Sequence, residues 1–499
     1  MNSKKEQITS LSKNQILIII LIFTLTFFLV FSPHIANPYP LHIDEWRHIT
    51  EAIKLKENLG LNGFASIEIG FHIFLAILSI PFKIILIYKF LPAIWAIISA
   101  LTLFFIIKNK TSNLKSSFLI ATLSIIFFAS LKSNVNIGGI WFFTPLTFSI
   151  PFIYLYIYLF TEGIQRQNKK YILISLAIMS FITITHSISL LFAIPLLIIF
   201  ALSHSTYLKK EYKFFSIFLL IPIIGFLFYK SLSNLTFLET LKQLLINLQF
   251  KKGWGVLEIH NSPFELYSPL GYILAIIGFI TIILNKITKK QLIIFPLWTI
   301  TILIYIIFFK ITGISPLSPY QRNLYYLAIS LPFLSAYGLF YILTQIAIQI
   351  NNSKIKNKKQ TYKYFKIVII TLTILLIFAS YYSVPKNLKL YKVIDKPDYE
   401  TLIYLSTLQH YNNSKIMAPA SIAPAIFPIT KQEPVGTIFF YGNRKDADNF
   451  FKDSTNCTEK NKLLKKYNTQ YILSKKLLNC SWEIIYNQTN NTIYKINII

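Results

Sequence analysis

The chain has 499 residues, 54% hydrophobic and only 14% charged, with a mean hydropathy of +0.53. Apolar runs long enough to cross a bilayer core of roughly 30 Å recur along it, which excludes an ordinary water-soluble protein. The net charge of +29 would point to nucleic acid in a soluble chain. Here the lysines gather in short loops between apolar runs, at 108–115, 166–170, 209–213, 286–290 and 354–366. That is positive-inside topology with attraction to anionic lipid, so no nucleic-acid partner is expected.

Lys4, Lys5 and Lys13 precede an apolar run at 16–31 that has no small-residue cleavage site. It reads as an uncleaved first span over 15–33, running from inside to outside. An external loop follows to residue 70. Pro38 and Pro40 break the chain there, and 43–58 is predicted as a short helix with Ile43, Trp46, Ile49 and Ile53 toward one side. This pattern reads as an amphipathic helix on the membrane surface. Residues 71–107 hold two apolar pieces parted by Lys89 and Pro92. Two full crossings would leave the lysines at 108–115 outside, against the charge rule. One piece is therefore expected to be re-entrant or interfacial, unless that loop is an exception.

Further spans are predicted at 117–131 and 137–160. Two short ones within 171–203 meet at an external tip, Thr185-His186-Ser187, which reads as an ordinary polar turn. Others follow at 214–230, 269–285, 291–311, 323–346 and 367–383, giving about eleven in all. The alternation places 231–268, 312–322 and everything past 384 outside.

Past 384 the apolar runs shorten to strand length. A helix is predicted from Pro397-Asp398 to about His410. Strands are predicted at 416–417, 435–440, 471–473, 482–486 and 492–499, with helices at 444–452 and 459–466. The fold class is thus a polytopic α-helical membrane protein with a small extracytoplasmic α/β domain: a multi-span domain at 1–384 and the small domain at 385–499. The chain is expected in the plasma membrane as a multi-pass protein. Its two cysteines, Cys457 and Cys480, lie in the outer domain and are placed to pair or to remain as thiols. Sequons at Asn412, Asn456, Asn479, Asn487 and Asn490 are read as products of an Asn-rich composition, since Asn351 heads another in an inside loop.

Chemistry concentrates in His42-Ile43-Asp44-Glu45-Trp46-Arg47-His48, just past the first span. Adjacent helical residues point about 100° apart, so Asp44 and Glu45 cannot share a face; one is free to enter a cleft while the other holds the helix or a ligand. Asp44 shares a face with His48, and Glu45 with His42. A carboxylate beside an imidazole and Arg47 suits general-base work or a cation; the alternative is an N-terminal cap. His42, Glu45 and His48 match no established zinc spacing. Arg322, in Ser-Pro-Tyr-Gln-Arg-Asn with Tyr320, stands at the outer mouth of an aromatic span, placed to grip phosphate bidentately or to snorkel. In the loop 231–268, Lys251, Lys252, Trp254, Glu258, His260 and Glu265 form a second polar cluster, with Trp254 suited to stacking on a sugar or to an aromatic belt.

Several of these parts together resemble the GT-C membrane glycosyltransferases, which include protein O-mannosyltransferases, lipid A aminoarabinose transferases and, more distantly, oligosaccharyltransferases. They are the acidic pair Asp44-Glu45 after the first span and Gly70-Phe71-His72 opening the next apolar stretch. Many spans follow, then the late external Arg322 and an outer domain carrying Lys-Lys-Tyr-Asn-Thr-Gln-Tyr-Ile-Leu at 465–473. The resemblance implies a sugar moved from a polyprenyl-phosphate donor to a protein, lipid or glycan acceptor at the outer membrane face. It makes Asp44 the base, Glu45 its neighbour or an acceptor ligand, and Arg322 the holder of the donor phosphate. His48, Tyr320, Trp254 and His260 are the expected substrate contacts. The Trp-Trp-Asp motif of oligosaccharyltransferases and a first-loop Asp-x-Asp are absent. That argues against en bloc oligosaccharide transfer. It leaves cofactor use, a divalent metal in particular, unassigned.

A flippase for lipid-linked sugars would carry ionisable residues inside its spans; here they collect at the rim. A polymerase would not explain an acidic pair directly after span one.

Overall fold

The computed structural model describes residues 12–57, 68–114, 116–134, 137–214, 236–251, 262–285, 291–353, 357–382, 392–408, 414–438, 442–488 and 490–496. The chain divides into two compact units, one built from 1–32 and 92–384 and the other from 33–91 and 385–499.

In the first unit apolar composition becomes helix. Among the described residues, five helices in the chain are long and apolar enough to cross a membrane: Lys13–Ile35, Ile84–Lys110, Pro145–Gln165, Ile294–Thr312 and Tyr320–Asn352. Ser117–Ala129, Ile188–Leu202 and Pro269–Leu284 are apolar but shorter. The span predicted over 214–230 lies outside the described residues from 215 onward. The span predicted from 137 begins later, at Pro145; Gly138 and Gly139 hold positive φ (105° and 151°), which a helix does not accommodate.

The 33-residue helix Tyr320–Asn352 is the axis of this unit, buried along most of its first half. It meets Pro269–Leu284 through glycine. A Cβ on Gly278 would come 2.0 Å from the Leu334 carbonyl oxygen, and one on Gly338 2.0 Å from that of Leu274. Small residues at helix crossings let backbones approach closely in a membrane, where dispersion replaces the hydrophobic effect. Lys13–Ile35, in contrast, leaves Leu17, Leu21 and Phe28 more than half exposed, as a lipid-facing helix would. At the far end of Leu91–Lys110, buried Lys110 meets Glu162 Oε1 at 2.5 Å, and Arg166 Nε donates to Glu162 Oε2 at 2.5 Å.

The second unit is organised by a four-stranded sheet in the order β3 (Lys415–Met417), β4 (Thr469–Ser474), β6 (Asn491–Lys495), β5 (Glu483–Gln488). The β3–β4 pair is parallel and the others antiparallel. The remaining pair, β1 (Gln249–Lys251) with β2 (Ile314–Pro316), lies in the first unit. Every residue of β4 is buried, so both sheet faces are covered. Alternation sends Tyr471 and Leu473 into one core and Ile472 into the other. The first core contains Leu402 and Leu405 of the helix Lys396–Thr407, and also Trp46. The second contains Ala447, Phe450 and Leu464 of the helices Arg444–Phe450 and Cys457–Lys466. Cys457 and Cys480 are joined as a disulfide. The predicted strand at 435–440 is not one over its described residues 435–438; Gly436 makes only an isolated bridge to Gly442.

The predicted helix at 43–58 is present as Ile43–Glu57, but its apolar side is not laid on lipid. Trp46, Ile49 and Ile53 are buried in protein. An amphipathic pattern records that one face is dry without saying what dries it. Of the two apolar pieces within 71–107, Ile69–Leu78 has ten residues and rises only about 15 Å. It is too short to cross, and Ile84–Lys110 is the piece long enough to do so.

The glycine crossing gives a test. Gly338→Ala should overpack the interface and destabilise by about 1–3 kcal/mol, seen as a lower thermal unfolding midpoint in detergent. An unchanged midpoint would refute the close backbone approach.

Candidate active site

The second unit positions the acidic pair. Trp46 is fully buried, and its Nε1 donates to the Pro40 carbonyl at 3.1 Å. With that face fixed, the preceding two residues diverge. Glu45 is also fully buried, and its Oε2 accepts the backbone N–H groups of Leu41 and His42 at 2.7 and 2.8 Å. It therefore satisfies donors at the helix entrance. Asp44 keeps its side chain 31% exposed. It lines a shallow cleft open to solvent, together with Ile43, Arg47 and Thr50. The other wall comes from Ala423, Pro424, Phe427, Glu433, Pro434 and Thr437. His42 Nδ1 accepts from the Asp44 backbone N–H at 3.1 Å and lies 3.5 Å from Asp44 Oδ2. Lys54 pairs with Glu433 at 2.6 Å and Lys431 with Glu57 at 2.5 Å along the same helix.

His48, one turn beyond Asp44, is buried away from solvent. Its Nδ1 is 3.0 Å from His72 Nε2 and 3.8 Å from Glu68 Oε2. Burial, aided by the Arg47 charge, pushes the His72 imidazole down to about 4. Glu68 carries no signal of its own in the sequence beyond preceding the Gly-Phe-His stretch.

In the first unit Arg322 is half-buried and donates from NH1 to the Ile137 carbonyl at 2.7 Å. Gly138 is what permits this approach, since a Cβ there would sit 3.2 Å from the same nitrogen. The 130–144 segment that receives Arg322 also carries Lys132, which is 9% exposed and has no ion-pair partner among the described residues. Burial alone lowers the Lys132 ammonium below its ordinary value. Asn134 in the same segment donates to Glu265 Oε2 at 2.6 Å. Sequence reading passes over Lys132, although it is a lone charge between two apolar runs.

Tyr320 is fully buried, its ring stacked on Phe309 at 4.4 Å with Lys310 over it at 4.8 Å. His186, expected at an exposed tip, is buried instead. Its Nδ1 is 2.6 Å from Ser189 Oγ, which lies 3.1 Å from the Tyr326 hydroxyl. Trp254 and His260 lie outside the described residues.

The arrangement resembles solved structures along nearly its whole length. The oligosaccharyltransferase AglB from the archaeon Archaeoglobus fulgidus, in complex with an inhibitory peptide and a dolichol-phosphate, matches with a TM-score of 0.55 and 13% identity. The match covers 93% of this chain and 70% of that one. The same enzyme tethered to an acceptor peptide containing the NVT sequon matches with a TM-score of 0.52 and 11% identity, over 91% and 69%. ArnT from Cupriavidus metallidurans, in the apo state, matches with a TM-score of 0.56 and 11% identity, over 96% of this chain and 97% of that one. The fold is that of these oligosaccharyltransferase and ArnT structures. No protein-family model matches the chain, and no curated protein matches it.

The separation of the acidic pair is testable by stability. Glu45→Ala should cost about 0.5–2 kcal/mol through loss of the cap, while Asp44→Asn should leave the unfolding midpoint within experimental scatter. Equal loss from both would mean that Asp44 also holds the helix.

Proposed function

We propose that the chain transfers a sugar from a polyprenyl-phosphate donor to an acceptor hydroxyl at the extracytoplasmic face of the cell membrane. The observation that carries this reading is the division of the acidic pair: Glu45 is consumed by the backbone, and Asp44 is left open at the cleft. The GT-C fold supports it, and the dolichol-phosphate held by the Archaeoglobus enzyme supports a lipid-phosphate donor.

In this reading Asp44 is the base. It takes the proton as the acceptor oxygen bonds to the sugar's anomeric carbon and the carbon–oxygen bond to phosphate breaks. The electron pair leaves on the polyprenyl phosphate, and a single displacement inverts the anomeric centre. Arg322 is the proposed holder of that phosphate. One guanidinium N–H is committed to Ile137, and a guanidinium carries five. The acceptor enters between the helix Ile43–Glu57 and the wall formed by Pro424, Phe427 and Pro434. In this reading the C-terminal part of the second unit is extracytoplasmic, because its residues between Ala423 and Thr437 form that wall.

Transfer from a labelled polyprenyl-phosphate sugar, by the detergent-solubilised chain, tests the assignment. Asp44→Asn should lower kcat about 100-fold or more, and full activity would remove Asp44 from the mechanism. Arg322→Ala should chiefly weaken donor binding, by about ten- to a hundredfold for a lost charge-assisted contact. Unchanged donor affinity would refute the phosphate role.

A further inference from the structure

Outside the cleft, one cluster of side chains has the composition of a cation site. His48, Glu68 and His72 each offer a ligand atom, and the three atoms lie within 4.8 Å of one another. We propose that these three residues bind a divalent metal ion, zinc by preference, in a site separate from Asp44.

Ligand type and spacing argue for it. Two imidazoles and one carboxylate suit zinc, which takes nitrogen and oxygen ligands at about 2.0–2.2 Å. Magnesium and calcium would demand mainly oxygen. In a tetrahedral site with such bonds, neighbouring ligand atoms stand about 3.3 Å apart. The observed His48 Nδ1 separations, 3.0 Å to His72 Nε2 and 3.8 Å to Glu68 Oε2, bracket that value. Small shifts of the side chains would admit the ion. Both histidines are buried, at 3% and 1% exposed, and Glu68 is partly so. Phe71 packs edge-on against the His48 ring with centroids 5.2 Å apart, which holds that ring in place. Arg47 NH2, 4.0 Å from Glu68 Oε2, orients the carboxylate from outside the ligand set. The three protein ligands leave a fourth position for water or substrate.

The ligands come from both sides of residues 58–67: His48 from the helix Ile43–Glu57, Glu68 and His72 from the start of Ile69–Leu78. A bound ion would tie these two helices together and so fix the helix that carries Asp44. This set replaces His42, Glu45 and His48 as the zinc candidate, because Glu45 Oε2 is already engaged by two backbone N–H groups.

The test needs no transfer activity. The full chain, purified in detergent without a polyhistidine tag, is stripped with chelator, incubated with zinc chloride, dialysed and assayed for metal by atomic absorption. The expected result is one zinc per chain in the wild type and in His42→Gln. Glu68→Gln and His72→Gln should each lower retained zinc about tenfold or more. Zinc binding should also raise the unfolding midpoint of the wild type. If the wild type retains no zinc, the cluster is a hydrogen-bonded histidine pair and the proposal fails. It fails equally if either ligand variant keeps a full equivalent, or if His42→Gln loses it. Should the ligand variants not yield folded protein, X-ray absorption on the zinc-loaded wild type decides: two imidazoles and one carboxylate uphold the site, and any other ligand set overturns it.

Discussion

The burial of one indole governs this molecule's chemistry. Trp46 sits in a core made by one face of a sheet whose strands come from the far end of the chain, alongside Leu402, Ile416, Tyr471 and Ile493. Truncating such a side chain in a core costs about 3–5 kcal/mol. The exposed ion pairs on the same helix, Lys54 with Glu433 and Lys431 with Glu57, contribute at most about 1 kcal/mol each. Apolar packing therefore sets the helix's position, and the ion pairs adjust its rotation. The indole N–H is satisfied by Pro40, so the burial leaves no orphaned donor to offset it.

Once Trp46 is inward, the geometry of a helix settles its neighbours. Successive residues turn by about 100°. Glu45 falls where the chain enters the helix, and its carboxylate is drawn to two backbone N–H groups that would otherwise be unpaired. Asp44 turns toward the cleft. Two carboxylates adjacent in sequence thus come to differ in environment, one buried with Oε2 bonded to backbone, the other partly exposed at the cleft. Only the second lines the cleft. His48, at the same helical position one turn on, is drawn instead into contact with His72 and Glu68.

What could be read from the sequence follows from the range of the interaction concerned. Helices driven by long apolar runs, such as Ile294–Thr312 and Tyr320–Asn352, and strands carrying short apolar runs, such as β4 and β6, are visible because their signals lie within the element. The rotation that separates Asp44 from Glu45 is likewise visible, since it needs only helix geometry. The partner that dries Trp46, Ile49 and Ile53 is not, because it lies hundreds of residues away, and lipid is an equally good reading of the same pattern. The burial of Tyr320 and of His186 is hidden for a related reason. Each sits at the end of an apolar run, where polarity suggests exposure, yet Phe309 covers the first and Ser189 with Tyr326 satisfies the second. Lys132 is missed because one lysine among many is inconspicuous. Its burial, not its presence, sets it apart.

That burial bears on what the first unit is for. A desolvated ammonium is costly, and proteins ordinarily offset the cost with a carboxylate. Among the described residues Lys110 follows this rule, held by Glu162. Lys132 does not: it has no such partner, and its titration is lowered by burial alone. Five residues on, the Ile137 carbonyl takes one N–H of Arg322, beside Gly138 and Gly139 at positive φ. Lys132 and the carbonyl that receives Arg322 thus lie within six residues of one another in the chain. Stability alone would favour neutralising Lys132 or exposing it.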